Sequence, residues 1–424
     1  MAKYKTIRGM NDVKPSEVSV WQFVEANIRS IFGSYAYEEI RFPIVEQTEL
    51  FSRSVGEATD IVSKEMYTFE DRNGDSISLR PEGTASCVRA CLENDLLRVD
   101  SPKLWYMGPM FRYERPQKGR SRQFHQASAE VFGIHSHNVD AELMMLTSSL
   151  WDVLGIKNQT NLEINSLGNS DTRKEYRSLL QDFLQSFSSE LDENSQRQLE
   201  QNPLRILDSK SKRIKEILVN APSILDHLDS ESEDHFNKLK DLLTKSNIDF
   251  EINDKLVRGL DYYNKTVFEW KTKDLGAQDT VCGGGRYDDL VGLLGGKDCH
   301  AVGFSIGLER LVLLVKEYSK DNISTETELD CNFICLSEDS VSYALTNAEK
   351  IREAIPTINL KVNLQATSAN SQFKRADKSG SKIALIVGEE ELKDNKISIK
   401  DLEKKESQET LNLDQIISRL KKLY

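Results

Sequence analysis

One stretch constrains the chain more than any other: Phe111 to Gln126, continuing through Glu130, reads as a strand, a basic loop and a returning strand. An apolar and aromatic run from Leu104 to Phe111 leads into it. Residues 123–132, rich in Phe, Val and small side chains, suit an antiparallel return. Residues 112–122 carry five basic side chains (Arg112, Arg115, Lys118, Arg120, Arg122) against one acid, Glu114. Strand side chains alternate faces, so Phe124, Gln126, Ser128 and Glu130 share one face, as Arg112 and Glu114 do on the first strand. At about 3.3 Å per residue, Phe124 and Glu130 stand about 20 Å apart, room for a flat base at one end and a small polar molecule at the other. An ordinary surface hairpin with a solvated loop has no need for this repeat beside two arginines. The chemistry suits a polyphosphate, a purine and a zwitterion.

The rest of the sequence narrows the setting. At 424 residues the chain is too long for one domain, and two to four are expected. No run approaches the about 20 apolar residues of a membrane span, and the first residues lack the apolar core of a signal peptide. The six cysteines (Cys87, Cys91, Cys282, Cys299, Cys331, Cys335) form no CxxC pair, which predicts reduced thiols in a cytoplasmic protein. Six histidines, none in HExxH or beside cysteines at zinc spacing, predict no metal site. A net charge of −12 excludes a generic nucleic-acid coat but not local RNA-binding patches. Residues 331–424 hold 15 basic and 14 acidic side chains against 41 and 54 before them, so the C-terminal part repels a polyanion least.

In chain order, Ser16 to Phe32 predicts a helix with Trp21, Val24, Ile28 and Ile31 on one face, stopping at Gly33. Glu39 to Val45 reads as a strand broken by Pro43, an edge or interface position. Residues 66–79 form a hairpin around Asn73-Gly74. It delivers Arg80-Pro81-Glu82-Gly83-Thr84 to a helix start, where Glu82 serves either as a helix-start acid or as a carboxylate held for an ammonium group. Residues 138–155 predict a helix with Leu143, Leu146, Leu150 and Leu154 inward, and a strand follows near 160–166. Residues 170–250 turn polar and helical, read as an insertion with no chemistry of its own. A strand at Thr266–Trp270 follows Arg258-Gly259-Leu260-Asp261-Tyr262-Tyr263, an arginine, a glycine and two tyrosines where a core strand would carry aliphatics. The glycines of Cys282-Gly283-Gly284-Gly285-Arg286-Tyr287-Asp288 permit close backbone approach to a ligand. Gly303-Phe304-Ser305-Ile306-Gly307 fits a serine-hydrolase elbow, but the last histidine is His300, so no triad histidine follows the serine. From about 330, strands at Cys331–Leu336, Leu360–Leu364 and Ile383–Val387 alternate with helices at 340–355 and 367–379, a small α/β domain with a helical tail at 411–424. Cys331 and Cys335 belong to its core, and Lys316 to Glu328 reads as a charged linker before it.

These strings resemble, in order, the class II aminoacyl-tRNA synthetases in the form of the histidyl-tRNA synthetase family. The hairpin from Phe111 is similar to motif 2, the Ser16–Val45 segment to motif 1, and Ala301 to Val315 to motif 3. Arg80 to Thr84 resembles the segment that holds the substrate's amino group, and Arg258 to Tyr263 the signature specific to the histidine enzymes. The C-terminal unit, with Phe373-Lys374-Arg375-Ala376-Asp377, resembles the anticodon-binding domain of the histidine, glycine, threonine and proline enzymes. The resemblance implies an α+β catalytic domain on an antiparallel sheet flanked by helices, with a helical insertion and a C-terminal α/β anticodon-binding domain. It divides the chain at 1–169, 170–250, 251–325 and 326–424.

The implied activity joins L-histidine to ATP, releasing pyrophosphate, and then transfers the histidyl group to the 3′ end of tRNA(His), with Mg2+ accompanying ATP and a homodimer as the working form. By the same resemblance, Arg112 holds the α-phosphate, Arg258 stabilises charge developing there, and Arg120 and Arg310 bind the outer phosphates. Phe124 stacks on adenine and Glu114 faces its edge. Glu82, Thr84 and Gln126 hold the histidine ammonium, Glu130 and Tyr263 the imidazole nitrogens, and Tyr262 and Tyr287 close the pocket. Gly119 and its basic neighbours guide the acceptor end. The insertion lies where family members touch the acceptor stem. Ser128 departs from the pattern: glycine or aspartate is expected on that ligand face. The alternative is a non-catalytic synthetase-like subunit regulating histidine biosynthesis. Such subunits usually lack the C-terminal domain and the catalytic arginines, and both are present here.

Overall fold

The strand, loop and return at 111–130 lie inside an eight-stranded sheet. The computed structural model describes residues 4–56, 59–98, 101–276, 279–320, 330–402, 404 and 407–423. It divides the chain into two compact units, residues 1–323 and 324–424. Of the expected linker, residues 316–318 instead close the helix Leu308–Tyr318, and residues 321–328 lie outside the described residues.

In the first unit the strands are β1 (Glu38–Glu39), β2 (Val45–Gln47), β3 (Tyr67–Glu70), β4 (Ser76–Leu79), β5 (Lys103–Phe111), β6 (Gln123–Phe132), β7 (Asn161–Ser166), β8 (Glu251–Ile252), β9 (Asn264–Lys271), β10 (Thr280–Arg286) and β11 (Ala301–Gly307). The large sheet runs β1-β5-β6-β11-β10-β9-β7-β8, and β2, β4 and β3 make a separate small sheet. Every neighbouring pair of the large sheet is antiparallel except the outermost two, β1 with β5 and β7 with β8. The segment expected as one broken strand around Pro43 is thus split between two sheets. Its first part is an edge of the large one.

Alternation on β6 separates core from site. Ala127, Ala129 and Val131 face a core shared with the helices Pro15–Ser34, His137–Val153 and Leu308–Tyr318. Phe124, Gln126, Ser128 and Glu130 take the other face. The expected inward leucines of the 137–153 helix, Leu143, Leu146, Leu150 and Leu154, are all fully buried. The first helix differs in detail. Its buried row is Val20, Val24, Ile28 and Phe32, while Trp21 and Ile31 are half-buried at its flanks. The row follows the i, i+4 spacing of one helix face, and the large aromatic falls beside it. Gly33 does not end this helix, which runs to Ser34.

Around Asn73-Gly74 the backbone turns at Gly74 with φ +89°, and the Asp71 carboxylate accepts from the Asn73 and Asp75 amides at 2.7 and 3.0 Å. Polar residues 170–245 do fold, because their sparse apolar side chains are placed to pack. Tyr176, Leu180 and Leu184 of the helix Ser170–Gln185 bury against Leu199, Ile206 and Ile217. Phe236, Leu239 and Leu243 of the helix Ser230–Lys245 join the core under the large sheet.

The second unit has a five-stranded sheet of β12 (Cys331–Cys335), β13 (Leu360–Val362), β14 (Ile383–Val387), β15 (Ile397–Asp401) and β16 (Glu409–Leu411), in the order β13-β12-β14-β15-β16. Helices Glu338–Ala354, Ala369–Lys378 and Leu413–Leu420 accompany it. The antiparallel pair β15 and β16 has little sequence signal, since Ile397 and Ile399 with Leu411 are its few apolar residues in a charged surrounding. Cys331 and Cys335 are buried in its core, and the six cysteines are free thiols. Among the described residues no helix is long and apolar enough to cross a membrane.

One buried ion pair ties the large sheet to its helices. Arg286, at the end of β10, is fully buried; its Nε donates to both Asp140 oxygens at 3.0 Å, and its Nη atoms donate to the carbonyls of Ile134 and Ser136 at 3.0 and 2.8 Å. Burial pushes the Asp140 carboxyl up, but Arg286 and His235 outweigh it and hold the group below its ordinary value. Removing one partner strands the other charge. Asp140→Ala should therefore destabilise the unit by about 3–5 kcal/mol, read as a lower midpoint in urea denaturation followed by circular dichroism.

Candidate functional site

Two clusters of site residues lie along the open face of the sheet. The first is built by the 112–122 loop. Arg112 donates from its backbone N–H to the Arg122 carbonyl at 2.9 Å, and Gln117 and Arg120 exchange backbone hydrogen bonds, closing the loop. The Arg112 Nε donates to the Pro81 carbonyl at 2.8 Å, and its guanidinium lies 5.2 Å from the centre of the Phe124 ring, within cation–π range. Glu114, nearly buried, sits 2.6 Å from Arg120 Nε and 3.7 Å from an Arg112 Nη. Arg310, on the first turn of the helix after β11, donates to the Gly119 carbonyl at 3.2 Å and to that of Thr280. Gly119 has φ +71°, and a Cβ there would come within 3.1 Å of Arg310. Burial, and then the like charge of Arg120, hold Arg310 below its ordinary value, yet a guanidinium stays ionised at neutral pH.

Arg258 faces this loop from another direction. It is ion-paired with Glu269, which also accepts from Thr280 Oγ1 at 3.0 Å. Burial alone would lower Arg258, but the Glu269 charge outweighs it and raises the group above its ordinary value. A Cβ on Gly283 would meet Arg258 Nη1 at 2.5 Å. The close approach read from the Cys282–Asp288 glycines is therefore made, at Gly283, by the chain's own arginine. Arg112, Glu114, Arg120 and Arg258 open onto a cavity of about 790 Å3 whose far wall is Asp192, Gln198, Arg205 and Lys210 of the helical segment. Arg310 and Phe124 lie outside that lining.

The second cluster centres on Glu130. Its Oε1 accepts from Thr84 Oγ1 at 2.9 Å and Tyr106 Oη at 2.8 Å, and its Oε2 accepts from Tyr287 Oη. Opposite it on β11 is Gly303, where a Cβ would lie 1.8 Å from Oε2. Burial pushes the Glu130 acid up to about 8, while the hydrogen bonds from Tyr287, Tyr106 and Thr84 pull it the other way. Burial and then the Glu130 charge push the Tyr106 and Tyr287 hydroxyls well up, so they remain donors. Tyr262 and Tyr263 pack beside Tyr287, with ring centres 4.7 Å apart from each other and 5.6 and 6.5 Å from Tyr287.

Glu82 occupies the helix-start position. Its two oxygens accept from the amides of Thr84 and Ala85 at 2.6 and 2.9 Å, and burial raises its acid above the ordinary value. Between the clusters, Gln126 Oε1 is buried with no hydrogen-bond partner among the described residues. Ser128 is fully buried and shares a hydrogen bond of 2.7 Å with Ser305 on β11. Among the described residues no three or more His, Cys, Asp or Glu side chains are grouped as metal ligands.

Sequence reasoning missed Tyr106, Glu269 and the cavity's far wall. Tyr106 was hidden in an aromatic run. Glu269 carried a usable signal, an acid inside the apolar strand Val267–Trp270, since buried acids require partners. The far wall left no local signal, because it is brought there by tertiary packing.

The histidyl-tRNA synthetase family model matches residues 9–311, and the anticodon binding domain model matches residues 330–423. The chain belongs to the histidyl-tRNA synthetase family. Apo histidyl-tRNA synthetase from S. aureus is 33% identical, with 99% of this chain and 100% of that one covered and a TM-score of 0.81. The histidyl-tRNA synthetase of a Nostoc species shares the fold at 21% identity and a TM-score of 0.67, covering 99% of each chain. So does a Bacillus halodurans protein described as an ATP phosphoribosyltransferase regulatory subunit/histidyl-tRNA synthetase, at 20% identity and TM-score 0.62, covering 88% of this chain and 96% of that one. The large sheet with its helices is the class II synthetase fold, and the second unit is an anticodon-binding domain, which implies a tRNA partner.

Glu130 gives this cluster a pH signature. A carboxyl raised from 4.5 to about 8 in the folded chain binds its proton more tightly than when unfolded. Its contribution to stability is full below about pH 4.5 and is lost as pH rises through about 8. The melting temperature should thus fall more steeply between about pH 5 and 8 in the wild type than in Glu130→Gln, read by scanning calorimetry across that range. Equal slopes would mean that Glu130 is not the titrating group.

Proposed function

We propose that the chain is an active histidine–tRNA ligase. It would activate L-histidine with ATP and pass the histidyl group to the 3′ end of tRNA(His), working as a homodimer in the cytoplasm. The observation that carries this reading is the convergence of Arg112, Arg120 and Arg258 with Glu114 on one cavity. In the first step a histidine carboxylate oxygen attacks the α-phosphorus of ATP, a new O–P bond forms, and the bond to the β-phosphate oxygen breaks, releasing pyrophosphate. In-line displacement of this kind needs alignment and charge neutralisation more than covalent help. In the second, a hydroxyl of the terminal ribose attacks the activated carbonyl and AMP leaves.

Arg112, already oriented by the Pro81 carbonyl and stacked on Phe124, would hold the α-phosphate, with Arg258 neutralising charge that develops there. Arg120 and Arg310 would take the outer phosphates, Phe124 the adenine face and Glu114 its edge. Planar guanidinium forks match phosphate oxygens in pairs. ATP would enter as its magnesium complex, and this reading assigns the magnesium no protein ligand. At the other end, Gln126 Oε1, with no hydrogen-bond partner among the described residues, suits the histidine ammonium. Glu82 and Thr84 would assist, since each Glu82 oxygen keeps a lone pair after accepting its amide. Glu130 and Tyr263 would pair the imidazole nitrogens, with Tyr262 and Tyr287 closing the pocket. A site built to pair both nitrogens rejects apolar analogues, which leave buried polar groups unmatched.

Histidine-dependent ATP–pyrophosphate exchange without tRNA tests this reading. Exchange with histidine and no other amino acid is expected. A folded chain that binds histidine but gives no exchange would instead be a regulatory subunit. Arg258→Ala should abolish exchange while tRNA affinity, measured by filter binding, stays close to wild type. Equal loss of both would make Arg258 structural.

A further inference from the structure

The loop between β8 and β9, residues 253–263, carries Arg258, Tyr262 and Tyr263. Before Arg258 it is fastened to the sheet, where Asn165 Nδ2 on β7 donates to the Leu256 carbonyl at 3.0 Å. After Arg258 it is gripped by the helical segment. Asp261 Oδ1 accepts from Arg205 Nη2 at 2.9 Å and from Asn202 Nδ2 at 3.2 Å, both at the start of the short turn Pro203–Asp208. Two residues later, Arg173 Nη1 of the helix Ser170–Gln185 donates to the Tyr263 carbonyl at 2.7 Å, with Nη2 3.5 Å from Asp289. Tyr262 lies between these two grips. The neighbouring backbone is shaped to admit the Asp261 side chain: Gly56 has φ +98°, and a Cβ there would lie 2.6 Å from Asp261 Oδ2. Arg205 also lines the cavity that Arg112, Arg120 and Arg258 share.

We propose that Arg205 and Arg173 are positioning residues through which the helical segment sets the loop of Arg258, Tyr262 and Tyr263. They would act on histidine through that loop, so any displacement of the helical segment is passed to the amino-acid pocket. The catalytic consequence rests on the ligase reading; the mechanical one does not. Asp261 is exposed while Arg205 and Arg173 are half-buried, so these contacts are partly screened by solvent and add little to global stability. The variants should therefore fold, and their effects should be local.

Two readouts test the proposal. In hydrogen–deuterium exchange on the full chain, Arg205→Ala and Arg173→Ala should speed exchange within residues 253–263 and leave β9 unchanged. This readout needs no activity. In histidine-dependent pyrophosphate exchange, Arg205→Ala and Asp261→Ala should each raise KM for histidine about fivefold or more, with KM for ATP within about twofold. The double variant should be no worse than either single one, and Arg205→Lys should recover most of the loss. Asp261→Asn replaces any variant that loses its cooperative melt. An unchanged loop, or effects that multiply in the double variant, would overturn the proposal. Absence of exchange in the wild type would overturn the ligase reading alone, and the hydrogen-exchange comparison would still decide the grip.

Discussion

The Glu130 carboxyl group is the constraint on which one end of the candidate site depends. Three hydroxyls from separate elements converge on it: Thr84 from a helix start, Tyr106 from β5 and Tyr287 from the end of β10. A buried acid in apolar surroundings is tolerable only with such partners. The same group therefore fixes the relative placement of three pieces of chain far apart in sequence. Tyr287 in turn follows directly on Arg286, whose ion pair with Asp140 holds β10 against the 137–153 helix. Core and site are joined through two adjacent residues.

The arginine end is ordered differently. Arg112 is braced by a carbonyl and an aromatic ring, Arg310 by two carbonyls and Arg258 by Glu269. Each brace uses part of a guanidinium's five donors. Little side-chain freedom is then left to lose when an anion binds, which is preorganisation in its electrostatic form. Glycines make the braces possible: at Gly283 the space that a methyl group would take is filled by Arg258, and at Gly119 a left-handed turn lies against Arg310.

Much of this was legible in the sequence because it follows local rules. Period-two alternation put Phe124, Gln126 and Glu130 on one face, and the same face holds Ser128 in its bond to Ser305. Asn73-Gly74 announced its hairpin, and the leucine spacing of 137–153 gave its buried row. The spacing marks the helix at 15–34 but not its buried row, since both candidate rows contain Val24 and Ile28 and only packing decides between Trp21 and Val20. What stayed hidden is non-local. Nothing near Asp261 in sequence announces Arg205, and nothing near Glu130 announces Tyr287. The pair β15 and β16 was invisible for another reason: two isoleucines in a charged stretch give too weak an alternation to read.

The large sheet also has two ends, and their form has a consequence for the molecule's behaviour in a crowded solution. β1 and β8 are each two residues long and each lies parallel to its neighbour. A strand that short offers almost no open ladder of N–H and C=O groups to another chain. The six strands between can therefore be long and regular enough to carry a binding face without the sheet becoming a template for intermolecular pairing.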